Sequence, residues 1–158
     1  MSKTLTLLDA IQVAKEAELQ ASALYSNAVQ EAINPLVRRL FKHLTEFEDL
    51  HYKKLVELEE SLRSKGAFIK YEEKADLPVS PVSEVQRIEG VEKASALKVM
   101  GEAMQFETKA EERYRALAVQ TENRDGRRMF ERLAREEHDH YQILQTAYYD
   151  LSNLQPLA

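Results

Sequence analysis

The sequence predicts an all-α protein: four helices in two antiparallel hairpins, joined by a long crossover. Three observations carry this. Ala, Leu, Glu, Lys, Arg and Gln, all good helix formers, dominate the 158 residues, and there are only four Gly and four Pro. Apolar residues recur at helical spacing, not strand alternation, over four long stretches. Two short turn signals, at Asn34-Pro35 and from Asn123 to Gly126, and one long break from Ala67 to about Gly90 separate these stretches.

The first helical pattern runs from about Leu5 to Ala32, with Leu8, Ile11, Ala14, Leu24, Ala28 and Ile33 in helical register. Asn34-Pro35 ends it, since Asn34 suits an N-cap and Pro35 the first position of the next helix. The second runs from Pro35 to about Arg63 on Leu36, Leu40, Phe41, Leu44, Phe47, Leu55 and Leu58, and Gly66 is a natural C-terminal cap. From Ala67 to about Gly90 the pattern stops, with Pro78, Ser80, Pro81 and Ser83 in the gap. Ser83 ahead of Glu84 and Gln86 offers a start for a short helix. A connection this long fits a chain that travels the length of the bundle before the third helix begins. The third pattern spans about Val91 to Val119. The fourth spans about Asp125 to Leu151, after a short turn through Asn123, Asp125 and Gly126. One domain over 1–158 is expected, with a hairpin at 5–63, a crossover at 67–90 and a second hairpin at 91–151. Two short turns and one long crossing give the ferritin-like connectivity.

Composition narrows the function classes. Hydrophobic residues at 44% and charged residues at 31% describe a soluble globular chain with one core. A net charge of −5 argues against a nucleic-acid partner, and no basic run suggests a membrane surface. Met1 to Ala10 holds one Lys and only a brief apolar stretch, so no signal peptide is expected. No segment approaches the roughly 18 apolar residues of a membrane span. The absence of cysteine excludes disulfides, iron–sulfur clusters and Cys-ligated zinc, and fits a cytoplasmic location.

The most informative feature is an internal repeat. Shifted by 89 residues, Glu18 falls on Glu107, Tyr25 on Tyr114 and Arg38-Arg39 on Arg127-Arg128. Phe41 falls on Phe130, Leu44 on Leu133, Glu48 on Glu137, His51-Tyr52 on His140-Tyr141 and Leu55 on Leu144. Ala14, Ala21 and Asn34 match Ala103, Ala110 and Asn123, and no gap is needed across the turns. Two amphipathic hairpins would reproduce the Leu and Ala matches by pattern alone. They would not place Glu, His and Tyr in one register, nor superpose two of only four His. The chain therefore reads as a duplicated hairpin whose polar residues share one task.

Glu48-Asp49-Leu50-His51 and Glu137-His138-Asp139-His140 are both E-x-x-H, and residues three apart lie on one helix face. Each pair presents a carboxylate and an imidazole to one point. Glu18 and Glu107 add a carboxylate each from the other two helices. Two lone glutamates plus two E-x-x-H pairs match the known ligand set of two-metal carboxylate bundles. Four carboxylates balance two divalent cations, and two neutral imidazoles complete six protein ligands. Such mixed ligation favours iron or manganese, with zinc as an adventitious occupant.

Tyr25 and Tyr114 lie seven residues beyond the lone glutamates, on the same faces, so that each hydroxyl can hydrogen-bond a ligand carboxylate or find a partner elsewhere in the core. Tyr52 and Tyr141 point elsewhere, and Arg38, Arg39, Arg127 and Arg128 read as solvated or helix-pairing residues. His43, about 80° from the face of His51, and His138 read as residues outside the ligand set. Glu16, Glu46, Glu102, Glu111 and Glu136 lack acidic partners in the repeat and read as surface charge. The competing reading is a metal-free bundle whose interior glutamates pair with Lys15 or Arg113, but burying four carboxylates without cations is costly.

The stretches AKEAELQASALY (14–25), FKHLTEFEDLHYKKL (41–55), ETKAEERY (107–114) and FERLAREEHDHYQIL (130–144) resemble the stand-alone, rubrerythrin-related branch of the ferritin-like superfamily. The resemblance implies a four-helix bundle with a non-haem di-iron site that oxidises ferrous iron with dioxygen or reduces hydrogen peroxide. It implies Glu18, Glu48, His51, Glu107, Glu137 and His140 as ligands of two iron ions, with Glu48 and Glu137 as bridges. Two departures stand out. Full-length rubrerythrins carry a Cys-ligated rubredoxin domain, and without Cys the electrons must come from a separate donor protein or from substrate iron. Rubrerythrins also carry a further glutamate on the third helix, where the position one turn past Glu107 is Ala110. Besides a redox enzyme, the pattern is compatible with an iron-binding or storage protein and with a structural bundle. A homodimer is expected.

Overall fold

The computed structural model describes residues 6–71 and 90–153. Four helices account for nearly all of them: α1 Leu7–Glu31, α2 Pro35–Lys65, α3 Gly90–Gln120 and α4 Arg124–Asn153. No strand occurs among the described residues. α1 packs on α2, α3 on α4, and the hairpins meet through α1 and α3. Most of the expected crossover and the short helix expected at Ser83 lie outside the described residues.

Each helix end has a local cause. Thr6 accepts the Asp9 N–H at the start of α1. Asn34 Oδ1 accepts from Leu36 and Val37 at 2.9 and 3.3 Å, with Pro35 at the first helical position. Gly66 closes α2 in the left-handed region at φ 63°, donating to Leu62 O while Ala67 N–H reaches Ser61 O. The matched arginines bind the carbonyls that α1 and α3 leave open. Arg38 donates to Ala32 O, and Arg127 donates to Thr121 O and Glu122 O.

Gly126 is not in the turn where the sequence places it. Asn123 Oδ1 accepts its N–H at 2.9 Å, and α4 has already begun at Arg124. A Cβ there would come within 2.5 Å of the Phe68 ring and 2.8 Å of Thr121 Cγ2, so the missing side chain makes room for the chain leaving α2.

The buried positions follow an alternating spacing of three and four: Ile11, Ala14, Glu18, Ala21, Tyr25 and Ala28 on α1, and Val37, Phe41, Leu44, Glu48, His51, Leu55 and Leu58 on α2. This is the seam pattern of near-parallel packed helices. It divides the interior into layers. One apolar cluster includes Phe41, Leu44, Met100, Leu144 and Leu151. The other includes Ile11, Leu55, Leu58, Met129, Phe130 and Leu133, with Phe68, Ile69 and Tyr71 packed on it. The polar seam residues lie between them along each helix.

Candidate metal centre

Glu18, Glu48, His51, Glu107, Glu137 and His140 occupy seam positions that would otherwise be apolar, and none is more than 2% exposed. They form two overlapping groups: Glu18, Glu48, His51 and Glu137, and Glu48, Glu107, Glu137 and His140. In each group one oxygen or nitrogen per residue lies within 4.8 Å of all the others, the spread that one metal ion could span. Glu48 and Glu137 are common to both.

Both imidazoles turn Nδ1 toward the carboxylates. His51 Nδ1 lies 2.6 Å from Glu137 Oε1 and 3.7 Å from Glu18 Oε2. His140 Nδ1 lies 3.4 Å from Glu48 Oε1 and 3.6 Å from Glu107 Oε2. Even so, both Nδ1 atoms, both Glu137 oxygens, Glu18 Oε2, Glu48 Oε1 and Glu107 Oε2 are buried without a hydrogen-bond partner. Buried polar atoms are almost always satisfied, and an orphan costs about 1–3 kcal/mol. Orphaned carboxylate and imidazole atoms that converge on one another are what a cation would satisfy, so the donor set fits a metal.

The remaining oxygens of the lone glutamates are held across the bundle. Tyr25 Oη donates to Glu107 Oε1 at 2.6 Å, and Tyr114 Oη to Glu18 Oε1 at 2.5 Å. Each tyrosine thus reaches the glutamate of the other hairpin. Burial, followed by the facing carboxylates, raises both phenols, which keeps them protonated donors.

The four carboxylates divide into two kinds. Burial raises Glu48, and Glu137, Glu18 and Glu107 raise it further. Glu137 is raised in the same way, by burial and then Glu107 and Glu18. Burial also acts against ionised Glu18, but Glu48, His51 and Tyr114 outweigh it and its pKa is lowered. Glu107 is lowered likewise, by Glu137, His140 and Tyr25 acting against burial. The shared glutamates are therefore the ones whose ionisation their surroundings oppose.

Several residues differ from the sequence reading. Glu136 is not surface charge: it is 9% exposed, and its Oε1 lies 2.8 Å from His51 Nε2. Tyr71 Oη donates to the same oxygen at 2.7 Å, and Arg132 Nε donates to Oε2 at 3.2 Å. Burial opposes its ionisation, but the bonds to His51, Tyr71 and Arg132 lower its pKa. Glu111 is half-buried and pairs with His138 and Arg115. Its repeat equivalent, Ser22, bonds Asp49, the equivalent of His138. Glu16, Glu46 and Glu102 are exposed. Lys15 pairs with Glu59 at 3.1 Å and not with the interior glutamates. Arg113 lines a cavity of about 290 Å³ between α1 and α3, which passes Ala21, Phe106 and Ala110 and reaches Glu18, Glu48, Glu107 and Glu137.

Residues 98–155 match the Rubrerythrin family model. Across 97% of this chain and 94% of the other, the structure is similar to that of a hypothetical protein from Pyrococcus furiosus, with a TM-score of 0.74 and 21% sequence identity. No curated protein in the comparison matches significantly. No helix among the described residues is long and apolar enough to cross a membrane.

Proposed function

We propose, on the premise that the fold and the family match together fit a rubrerythrin-like, ferritin-like protein, that this chain is a non-haem two-metal carboxylate oxidoreductase. The observation that carries the reading is the set of seven buried, unpartnered oxygen and nitrogen atoms that converge at the centre. Glu18 and His51 would hold one ion, Glu107 and His140 the other, and Glu48 and Glu137 would bridge them. Iron fits the donor set, and manganese is its closest competitor. Two ferrous ions would supply the electron pair that reduces hydrogen peroxide or dioxygen.

The protein's part is positioning and insulation. Tyr25 and Tyr114 fix one oxygen of each lone glutamate, which leaves the other oxygen free to face a metal. Burial and the facing carboxylates favour the protonated forms of Glu48 and Glu137, so cations would compete with protons there and uptake should strengthen as pH rises. The apolar layers on either side keep bulk water out. The cavity past the small side chains of Ala21 and Ala110 gives a small oxidant a way in. Electrons would return from a separate donor protein or from further substrate iron.

Anaerobic loading with ferrous iron, followed by peroxide or dioxygen in the presence of a reductant, tests this. Repeated turnover is expected. A single stoichiometric oxidation with ferric iron retained would point to iron handling instead. Bound ferrous iron that neither oxidant consumes would overturn the redox reading.

A further inference from the structure

The 89-residue repeat makes His51 and His140 equivalent, but their outer nitrogens are not equivalently held. His51 Nε2 meets the Glu136 carboxylate at 2.8 Å. Glu136 is fixed in turn by Tyr71 and Arg132. Tyr71 lies just past α2, beyond the matched positions, and the Arg132 equivalent in the first hairpin is His43. The equivalent of Glu136 is Phe47, whose ring meets the His140 ring edge-on with centroids 4.8 Å apart. His140 Nε2 has no hydrogen-bond partner among the described residues, and an aromatic ring is at best a weak acceptor.

A cation held at the inward-facing Nδ1 of either ring would leave Nε2 to carry the hydrogen. At His51 that N–H points at a carboxylate, which fixes the tautomer, holds the ring orientation and makes the inner nitrogen a stronger donor. At His140 the residue in the matching place is Phe47, which offers no carboxylate. Glu136 also adds negative charge on the side of His51, partly offset by Arg132.

We infer that the two metal positions are unequal: the position of Glu18 and His51 binds a divalent ion first and more tightly than that of Glu107 and His140, and Glu136 is the positioning residue responsible. This rests on the two-metal reading above.

Titration of the metal-free protein with Co²⁺, followed by calorimetry and by the visible absorption of the bound ion, tests the inference. Two-step binding alone is not diagnostic, because the charge of the first ion disfavours the second even in a symmetric site. Assignment of the steps is diagnostic. The first step is expected to disappear in His51→Ala and to survive in His140→Ala. Glu136→Gln should weaken the first step by about 10–100-fold and alter its absorption, leaving the second step unchanged. Tyr71→Phe should weaken the same step by less. Thermal melts of the metal-free variants identify any loss caused by misfolding, and His140→Ala then carries the comparison. A first step that survives His51→Ala would overturn the inference. So would a Glu136→Gln variant that keeps its first step intact or weakens both steps alike. Absence of any Co²⁺ uptake by the wild type would instead overturn the two-metal reading itself.

Discussion

Glu48 and Glu137 sit where burial and neighbouring carboxylates both act against ionisation, and in the metal-free protein this makes them sensitive to alkali. Their folded pKa values lie well above the ordinary carboxylate range. Their contribution to stability is therefore full below that range and is lost as pH rises through the raised values. His51 acts in the same direction: burial would lower it, but Glu18 and Glu136 raise it above the usual imidazole range. Glu18 and Glu107 act in the opposite direction, with a contribution that is lost only as pH falls through their lowered values. The Tm of metal-free protein should thus fall as pH is raised from mildly acidic to alkaline. Saturating divalent metal should remove that fall, because cations take the place of the protons. Melts at a series of pH values check this, and a metal-free Tm that rises steadily with pH would contradict it. The six clustered residues were legible because they recur in register. The repeat gives no hint of Glu136 for the same reason, since its equivalent is Phe47. A signal was present: Leu133, Glu136, Glu137 and His140 have the i, i+3, i+4, i+7 spacing of one buried helix face.

The helix ends show where local chemistry suffices and where it does not. Asn34-Pro35 and Gly66 act through their own backbone and side-chain atoms, so the boundary between α1 and α2 and the end of α2 could be read directly. Gly126 reads as a turn residue, yet its role depends on Phe68, far away in sequence, which no local pattern discloses. The consequence is a reversal of sign. In a helix, replacing Gly by Ala normally stabilises, by roughly 0.5–1 kcal/mol. Gly126→Ala should instead destabilise by about 1–3 kcal/mol, because the new methyl overlaps the Phe68 ring. Urea denaturation of the metal-free protein measures this, and a stabilised variant would show that Phe68 does not pack against α4.

Over the whole molecule, the two hairpins contribute matching halves to one buried layer, each tyrosine reaching into the other half. Composition and periodicity disclosed the four helices, and the repeat disclosed which polar residues belong together. The sequence could not show that Tyr25 and Tyr114 reach the opposite hairpin's glutamate, because that depends on how the hairpins dock. Nor could it show Tyr71 and Arg132 meeting at Glu136, which joins the end of the first hairpin to α4. Everything proposed for function depends on whether the central layer holds metal. Elemental analysis of protein purified anaerobically from iron-replete cells, beside a His51→Ala/His140→Ala variant, tests that most directly. About two iron or manganese ions per chain are expected in the wild type, and their loss in the variant. A wild-type protein that carries no metal and takes up none on titration would contradict this expectation.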